Sequence, residues 1–282
     1  MQKGRNKRHT FNGHRALLVC ALCLFGFCLL AQKPVQKQAV SHANDSVSQK
    51  QPEPKKQQAK SKVYLIHSDV LRKDSRHPDA QVLVGNVVFR HDSVYMYCDS
   101  AYYYDQISSF EAFSNVKMNQ GDTLFLYGDR LYYDGNTQIA EVRMNVRMEN
   151  RNTTLLTDSL NYDRVYNLGY YFDGGTLMDE QNVLTSDWGQ YSPSTKQSVF
   201  NYDVQLVNPQ FTLTSDTLEY NTATKIANIV GPSDIDSDEN HIYSELGTYN
   251  TVTGKAYLYN RSVLTNDGKQ LTGDTLYYDR DA

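Results

Sequence analysis

A repeat of 29 or 30 residues runs through most of this 282-residue chain. Each copy carries an acidic anchor with a small residue just before it, an aliphatic residue three positions before it and a tyrosine four positions after it. The anchors are Asp99, Asp129, Asp158, Asp187, Asp216, Glu245 and Asp274, and a degenerate copy begins at Asp69. Such periodicity is typical of proteins built from stacked units that cover one another's hydrophobic faces.

Composition favours strands within each repeat. The 22 tyrosines all lie between Tyr64 and Tyr278, and a body rich in Tyr, Thr, Val and Asp prefers strands and turns. No segment shows a convincing 3.6-residue amphipathic period. Each repeat contains two strand-like halves separated by turn residues such as Asp134-Gly135-Asn136. We therefore predict an all-β body of about fifteen bent antiparallel strands.

The spacing within the first half of a repeat predicts the bend. Leu126 and Tyr133 lie an odd number of residues apart, so they would face opposite sides of a straight strand, whereas Leu131 and Tyr133 share a face. All three face one core only if the strand changes parity once, near Gly128 and Asp129. We therefore interpret the acidic anchors as corner-forming residues whose carboxylates accept backbone N–H bonds at the bend.

A second, looser feature follows each anchor by about 16 or 17 residues. It comprises Gly85-Asn86-Val87, Ser114-Asn115-Val116, Met144-Asn145-Val146, Tyr202-Asp203-Val204 and Arg261-Ser262-Val263. In this half, the alternate residues from Ala140 to Met148, with Met144 among them, are expected to keep one parity throughout.

The N-terminus resembles an export signal. Residues 1–15 are basic and residues 16–31 are an unbroken apolar run, which is short for a bilayer span but suits a signal peptide. An uncleaved anchor and a lipoprotein cysteine are the alternatives. Residues 32–62 are rich in Gln, Lys, Ser and Pro, a composition that predicts a disordered tether. The repeat domain then extends over 63–282.

Charge and side-chain patterns exclude several functions for the body. Residues 63–282 carry a net charge of −14, which argues against nucleic acid as a partner. Cys98 is the single cysteine there, so no intramolecular disulfide or zinc motif is expected. The acids recur once in every repeat, as a structural rule requires, and the histidines form no catalytic spacing. A carbohydrate-active β-helix is the enzymatic alternative, but we predict no enzyme, cofactor or metal.

One acidic segment partly matches a calcium-binding loop. Asp234, Asp236, Asp238 and Glu245 occupy loop positions 1, 3, 5 and 12, but position 6 is Glu239 instead of glycine. An acidic turn that ends at the sixth repeat anchor explains the same residues.

The repeats resemble the OstA-like (LptA-type) family of lipopolysaccharide transport. Gly128 to Asp134 and Gly273 to Asp279 match its Gly-Asp-x-Leu-x-Tyr-Asp element, and Gly85-Asn86-Val87 matches its Gly-Asn-Val element. The resemblance covers essentially all of 63–282, although the middle repeats drift, as at Trp188-Gly189. It implies an open β-jellyroll of stacked, bent antiparallel strands. It also implies a periplasmic conduit that shields acyl chains in a Gram-negative cell envelope, with a membrane tether at the N-terminus as the alternative to a cleaved signal.

The resemblance also implies a site and partners. The inward positions are the expected lipid contacts; from the residues alone, a closed core is the simpler interpretation. They are Leu126, Leu131, Tyr133, Val146, Leu155, Leu160, Tyr162, Val204, Leu213, Leu218 and Tyr220. The expected partners are lipopolysaccharide or a related envelope lipid, together with other bridge proteins or a second copy joined edge to edge. A cell-envelope scaffold that binds partners through its strand edges remains the alternative.

The last residues, Tyr278 to Ala282, fall halfway through a repeat. The final strand is therefore expected to present an unpaired edge, either because the sequence is a fragment or because the edge docks another subunit.

Overall fold

The computed structural model describes residues 61–237 and 239–280. The predicted export signal and all but the last two residues of the predicted tether lie outside this part. The described chain forms twenty strands of one antiparallel sheet and one short 3₁₀ segment, Asp105–Ile107. The strands are β1 (Tyr64–His67), β2 (Val70–Asp74), β3 (His77–His91), β4 (Val94–Tyr104), β5 (Ser109–Gln120), β6 (Leu124–Asp134), β7 (Ile139–Asn150), β8 (Thr153–Asp163), β9 (Leu168–Tyr171), β10 (Gly175–Asp179), β11 (Asn182–Ser186), β12 (Trp188–Tyr191), β13 (Gln197–Asn208), β14 (Phe211–Asn221), β15 (Ile226–Ile229), β16 (Ser233–Asp236), β17 (Asn240–Ser244), β18 (Leu246–Asn250), β19 (Lys255–Asn266) and β20 (Lys269–Asp279).

Each long strand bends near its middle, where its pairing register shifts. Between β6 and β7 the pairs Tyr127–Arg147 and Arg130–Arg143 flank the shift, and the same break recurs between β3 and β4 and between β13 and β14. We call this line of bends the corner. In the described chain, ten long strands run through the corner without a break. The other ten strands are short and form five successive pairs, such as β1 and β2, with one member on each side of the corner. The predicted all-β fold of bent antiparallel strands is therefore confirmed.

The parity slip occurs at the expected place. In β6, Leu124, Leu126 and Gly128 are buried, Asp129 and Arg130 are exposed, and burial resumes at Leu131 and Tyr133. β4 and β14 show the same pattern on either side of Asp99 and Asp216. Two successive residues therefore face outward at the bend, which places the aliphatic residue before the anchor and the tyrosine after it on the same face.

The second corner motif forms differently from the prediction. Two consecutive residues adopt positive φ there, at 85–86, 114–115, 144–145, 202–203 and 260–261. They project outward, so Met144 is 51% exposed while Val142 and Val146 on either side are buried. The expectation that Met144 shares the inward face was wrong. The grouping Arg261-Ser262-Val263 was also one residue out of register, because the positive-φ pair is Asn260-Arg261 and buried Ser262 takes the valine position.

Changing Met144 to glycine should stabilise the protein by about 0.5–1 kcal/mol. Met144 has a φ of 65°, and a left-handed conformation costs an L-residue roughly 1–2 kcal/mol, which exceeds the backbone entropy that glycine loses. Urea unfolding measures the change. Gly85→Ala is the opposite control, because φ is +81° there and a Cβ would clash with the carboxylate of Asp69. A loss of stability in Met144→Gly would contradict the strain argument.

The sheet is folded at the corner into two facing arms. The first arm contains β1, β10, β11, β16 and β17, and the second contains β2, β9, β12, β15 and β18. Every other strand contributes one half to each arm. The inward side chains of both arms form one hydrophobic core cluster, with rings in contact such as Phe89 and Phe110, whose centroids are 4.0 Å apart.

Candidate lipid-binding interior and its seam

The structure brings all eleven predicted lipid-contact residues together between the arms. Each belongs to the core cluster and is at most 2% exposed. The first arm supplies Leu126, Val146, Leu155, Val204 and Leu213, and the second arm supplies Leu131, Tyr133, Leu160, Tyr162, Leu218 and Tyr220. In this conformation they pack against one another. A lipid chain could enter this interior only if the arms separated or the side chains rearranged.

The inward-facing apolar residues recur from strand to strand along the sheet, and at both ends of the sheet they become exposed. Leu71 in β2 pairs with buried Leu83, yet it is 55% exposed. Leu271 in β20 pairs with Leu264, which packs against the core, and it is 59% exposed. Among the described residues, no further strand covers either leucine. The core therefore presents apolar side chains at its two ends.

The repeat tyrosines close the side of the molecule opposite the corner. Hairpin turns from both arms meet along this side, which we call the seam. The tyrosine hydroxyls of the second arm hydrogen-bond to the first arm 38 to 42 residues away in sequence. The pairs are Tyr133–His91 at 2.7 Å, Tyr162–Gln120 at 3.4 Å, Tyr191–Asn150 at 3.1 Å, Tyr220–Asp179 at 2.8 Å and Tyr278–Asn240 at 3.3 Å.

Burial keeps four of these hydroxyls protonated. It raises the pKa of Tyr133 to about 12 and also raises the pKa values of Tyr162, Tyr191 and Tyr220 above their ordinary range. The phenols therefore act at neutral pH as uncharged hydrogen-bonding groups. The seam is held by polar bonds that water can replace, whereas the corner is held by continuous strands. If the arms separate, the seam is the side at which they can do so.

Charged residues lie next to the tyrosines along the seam. Lys225 Nζ lies 2.8 Å from both carboxylate oxygens of Asp179, which is 1% exposed. Arg164 donates to the hydroxyl of Tyr133 and lies 3.1 Å from Nδ1 of His91. Burial, reinforced by Arg164, lowers the pKa of His91. These groups were not predicted from the sequence, although lysine recurs nine residues after both Asp187 and Asp216 and could have indicated them.

The acidic anchors lie at the corner, away from the interior. Asp69, Asp99, Asp129 and Glu245 accept hydrogen bonds from the side-chain amides of Asn86, Asn115, Asn145 and Asn260. Those asparagines belong to the positive-φ pairs of the neighbouring strands. Each of these carboxylates thus links its own part of the corner to the bend of a neighbouring strand. The prediction was that they accept backbone N–H bonds, whereas their donors here are side-chain amides. Asp158, Asp187, Asp216 and Asp274 are exposed at the same line.

The other singled-out residues have structural surroundings. Burial raises the pKa of Cys98 to about 12, so its thiol stays protonated. Asp234 and Asp236 lie on β16, where His241 of the paired β17 is 3.3 Å and 2.7 Å from their carboxylates. This hairpin is not a helix-flanked calcium loop. No group of His, Cys, Asp and Glu suited to a metal ion occurs in the part of the chain that the structure describes.

The end strands keep free edges. Within residues 61–237 and 239–280, β20 pairs with β19 alone, and β1 and β2 pair with β3 alone. A free edge can extend a sheet by strand addition. The same described ranges contain no helix with the length and apolar character needed to cross a bilayer.

Comparison with known proteins identifies the family. LptH of Pseudomonas aeruginosa, described as "the LptA homologous periplasmic component of the conserved lipopolysaccharide transport device", is a similar solved structure. It shares 13% identity over 35% of this chain and 76% of its own, with a TM-score of 0.33. No curated protein matches the chain. The family model described as "OstA-like protein" matches residues 60–216 and 212–274. The resemblance seen in the repeats is thereby confirmed, and the chain belongs to the OstA-like family.

Proposed function

We propose that this protein is a periplasmic lipid-transport conduit of a Gram-negative envelope, with lipopolysaccharide or a related lipid as its cargo. Its two arms would hold the acyl chains between them. The observation that carries the proposal is an apolar core that runs the length of the stack and is exposed at both ends, at Leu71 and Leu271. Membership of the OstA-like family supports the same assignment.

Hydrophobic transfer suffices as the driving force. Moving apolar chains out of water contributes about 0.8 kcal/mol per CH₂ group, so binding needs no catalytic group or cofactor. The cost is separation of the arms, which exposes part of the core and breaks the tyrosine bonds of the seam. The lipid's own chains would replace the lost core contacts.

The free edges suit the conduit's partners. Within the described residues, β20 at one end and β1 with β2 at the other each pair with a neighbouring strand on one side only. Edge-to-edge addition of a second copy or of another bent-strand bridge protein would continue both the sheet and the core. The same edges favour the second candidate, an envelope scaffold that binds proteins without carrying lipid.

Photo-crosslinking separates the two functions. The photoreactive analogue benzoylphenylalanine would replace Tyr133, which is buried between the arms, or its neighbour Tyr132, which faces outward from the same strand. In the full chain expressed in a Gram-negative host, the conduit predicts a lipid adduct at position 133 and little at position 132. Intact mass spectrometry identifies the adduct.

Labelling at positions 132 and 133 can also contradict the conduit. Equal lipid labelling at 132 and 133 would indicate surface adsorption. Protein adducts from a further variant with the analogue at exposed Tyr277 of β20, without any lipid adduct at 133, would favour the scaffold. Circular dichroism of each variant confirms that the bulky analogue leaves the fold intact.

A further inference from the structure

A notch on the seam, next to the core, holds two cations that form no ion pair with a carboxylate among the described residues. It has a volume of about 350 Å³. The first arm lines it with the turns around Arg151 and Glu180, and the second arm with Lys196 and Lys225. The buried ring of Tyr191 lies beneath, because its hydroxyl donates to Asn150 at the notch wall. The notch therefore opens to solvent directly above the apolar interior.

The cations of the notch differ in whether they form an ion pair with a carboxylate. Lys225 is neutralised by Asp179 at 2.8 Å and Glu180 at 3.2 Å. Lys196, in contrast, donates to the neutral amide oxygen of Asn150. Neither Lys196 nor Arg151 has a carboxylate within ion-pair distance among the described residues. Two positive charges thus face the same notch, one from each arm, with no carboxylate counterion among the described residues.

The electrostatics of Lys196 agree with this geometry. Partial burial lowers the pKa of its ammonium group, and repulsion by Arg151 lowers it further. An anion between the two cations would relieve the repulsion and replace lost hydration. An ammonium and a guanidinium with an adjacent amide, here that of Asn152, form the donor set that suits phosphate oxygens.

We propose that this notch binds a phosphate monoester, namely the headgroup phosphate of the lipid whose acyl chains occupy the interior. A phosphate monoester carries about −1.5 to −2 charges at neutral pH, and the notch alone carries a net charge of +1, because Arg151, Lys196 and Lys225 outnumber Asp179 and Glu180. The headgroup would stay at the water-exposed seam while the chains extend inward past Tyr191. The assignment to a lipid headgroup rests on the proposed conduit function, whereas the anion site itself does not.

Binding measurements on the full chain test the site. The probes are inorganic phosphate, a bisphosphorylated glycolipid in detergent micelles, and the same glycolipid after enzymatic dephosphorylation. The variants are Lys196→Gln and Arg151→Gln, and Lys269→Gln is the charge-matched control because its exposed side chain lies on β20, outside the notch. Each notch variant should bind the phosphorylated lipid about ten-fold more weakly, the value of one charge-assisted hydrogen bond.

The outcomes distinguish the sources of phosphate. Weaker binding of the phosphorylated lipid, with unchanged binding of its dephosphorylated form, supports the headgroup assignment. Weaker binding of inorganic phosphate alone would overturn that assignment and leave a free-phosphate site. Equal affinities in Lys196→Gln, Arg151→Gln and Lys269→Gln would overturn the site altogether.

The test also keeps this proposal separate from the conduit. If lipid still labels position 133 but the notch variants change nothing, the anion site fails and the conduit stands. If phosphate binding requires Lys196 and Arg151 but no lipid binds, the conduit fails and the anion site stands.

Discussion

Replacement of Lys225 by methionine should lower the free energy of unfolding by about 3–5 kcal/mol. Asp179 is 1% exposed, and both of its carboxylate oxygens lie 2.8 Å from Lys225 Nζ. Its remaining contact with Tyr220 is a single hydroxyl bond at 2.8 Å. Removal of the lysine leaves a buried carboxylate without a counter-charge, and that defect, rather than the loss of the ion pair itself, sets the magnitude. Urea unfolding followed by circular dichroism measures it.

Two controls isolate the buried charge as the cause. Lys255→Met breaks an exposed pair with Asp279 at 3.1 Å, and such pairs contribute about 1 kcal/mol or less. Adding Asp179→Asn to Lys225→Met should restore much of the lost stability, because a neutral amide needs no counterion. A loss in Lys225→Met no larger than in Lys255→Met would show that water reaches Asp179, and that the seam is already open in solution.

The sequence predicted the elements that repeat from one copy to the next. Every repeat contributes to one core, so aliphatic and aromatic residues recur at the same spacing in each repeat. Leu126, Leu131 and Tyr133 were therefore placed inward correctly. The corner at Asp129 followed from their odd separation. The family followed from the same short elements.

What the sequence did not predict depends on contacts between repeats. Met144 was wrongly placed inward because the prediction assumed strict alternation of faces, which does not hold where two consecutive residues adopt positive φ. The partners of the seam tyrosines lie 38 to 42 residues away, which is more than one repeat. The offset between the arms sets that distance, and no periodicity within one arm reveals it. The pairing of Lys225 with Asp179, 46 residues apart, was hidden for the same reason.

Leu213→Ala and Leu271→Ala should differ greatly in their effect, although both leucines stand three residues before a repeat anchor. Leu213 is fully buried and pairs with Leu206 and Ile235 on its two sides. Its truncation should cost about 2–5 kcal/mol, as a cavity in a packed core does. Leu271 is 59% exposed and has Leu264 on one side, so its truncation should cost under about 1 kcal/mol. Urea unfolding of the two variants gives both values.

The same pair of variants tests what the exposed end is for. If β20 docks a second copy or a bridge protein, Leu271 becomes a core residue of the joined stack, and Leu271→Ala should weaken association while sparing the isolated protein. Leu213→Ala should do the reverse, lowering stability while leaving the affinity of the folded fraction unchanged. Analytical ultracentrifugation over a range of concentrations reports the association. Equal stability losses in the two variants would mean that Leu271 is already covered in solution, and the core would then end within this chain instead of continuing into a partner.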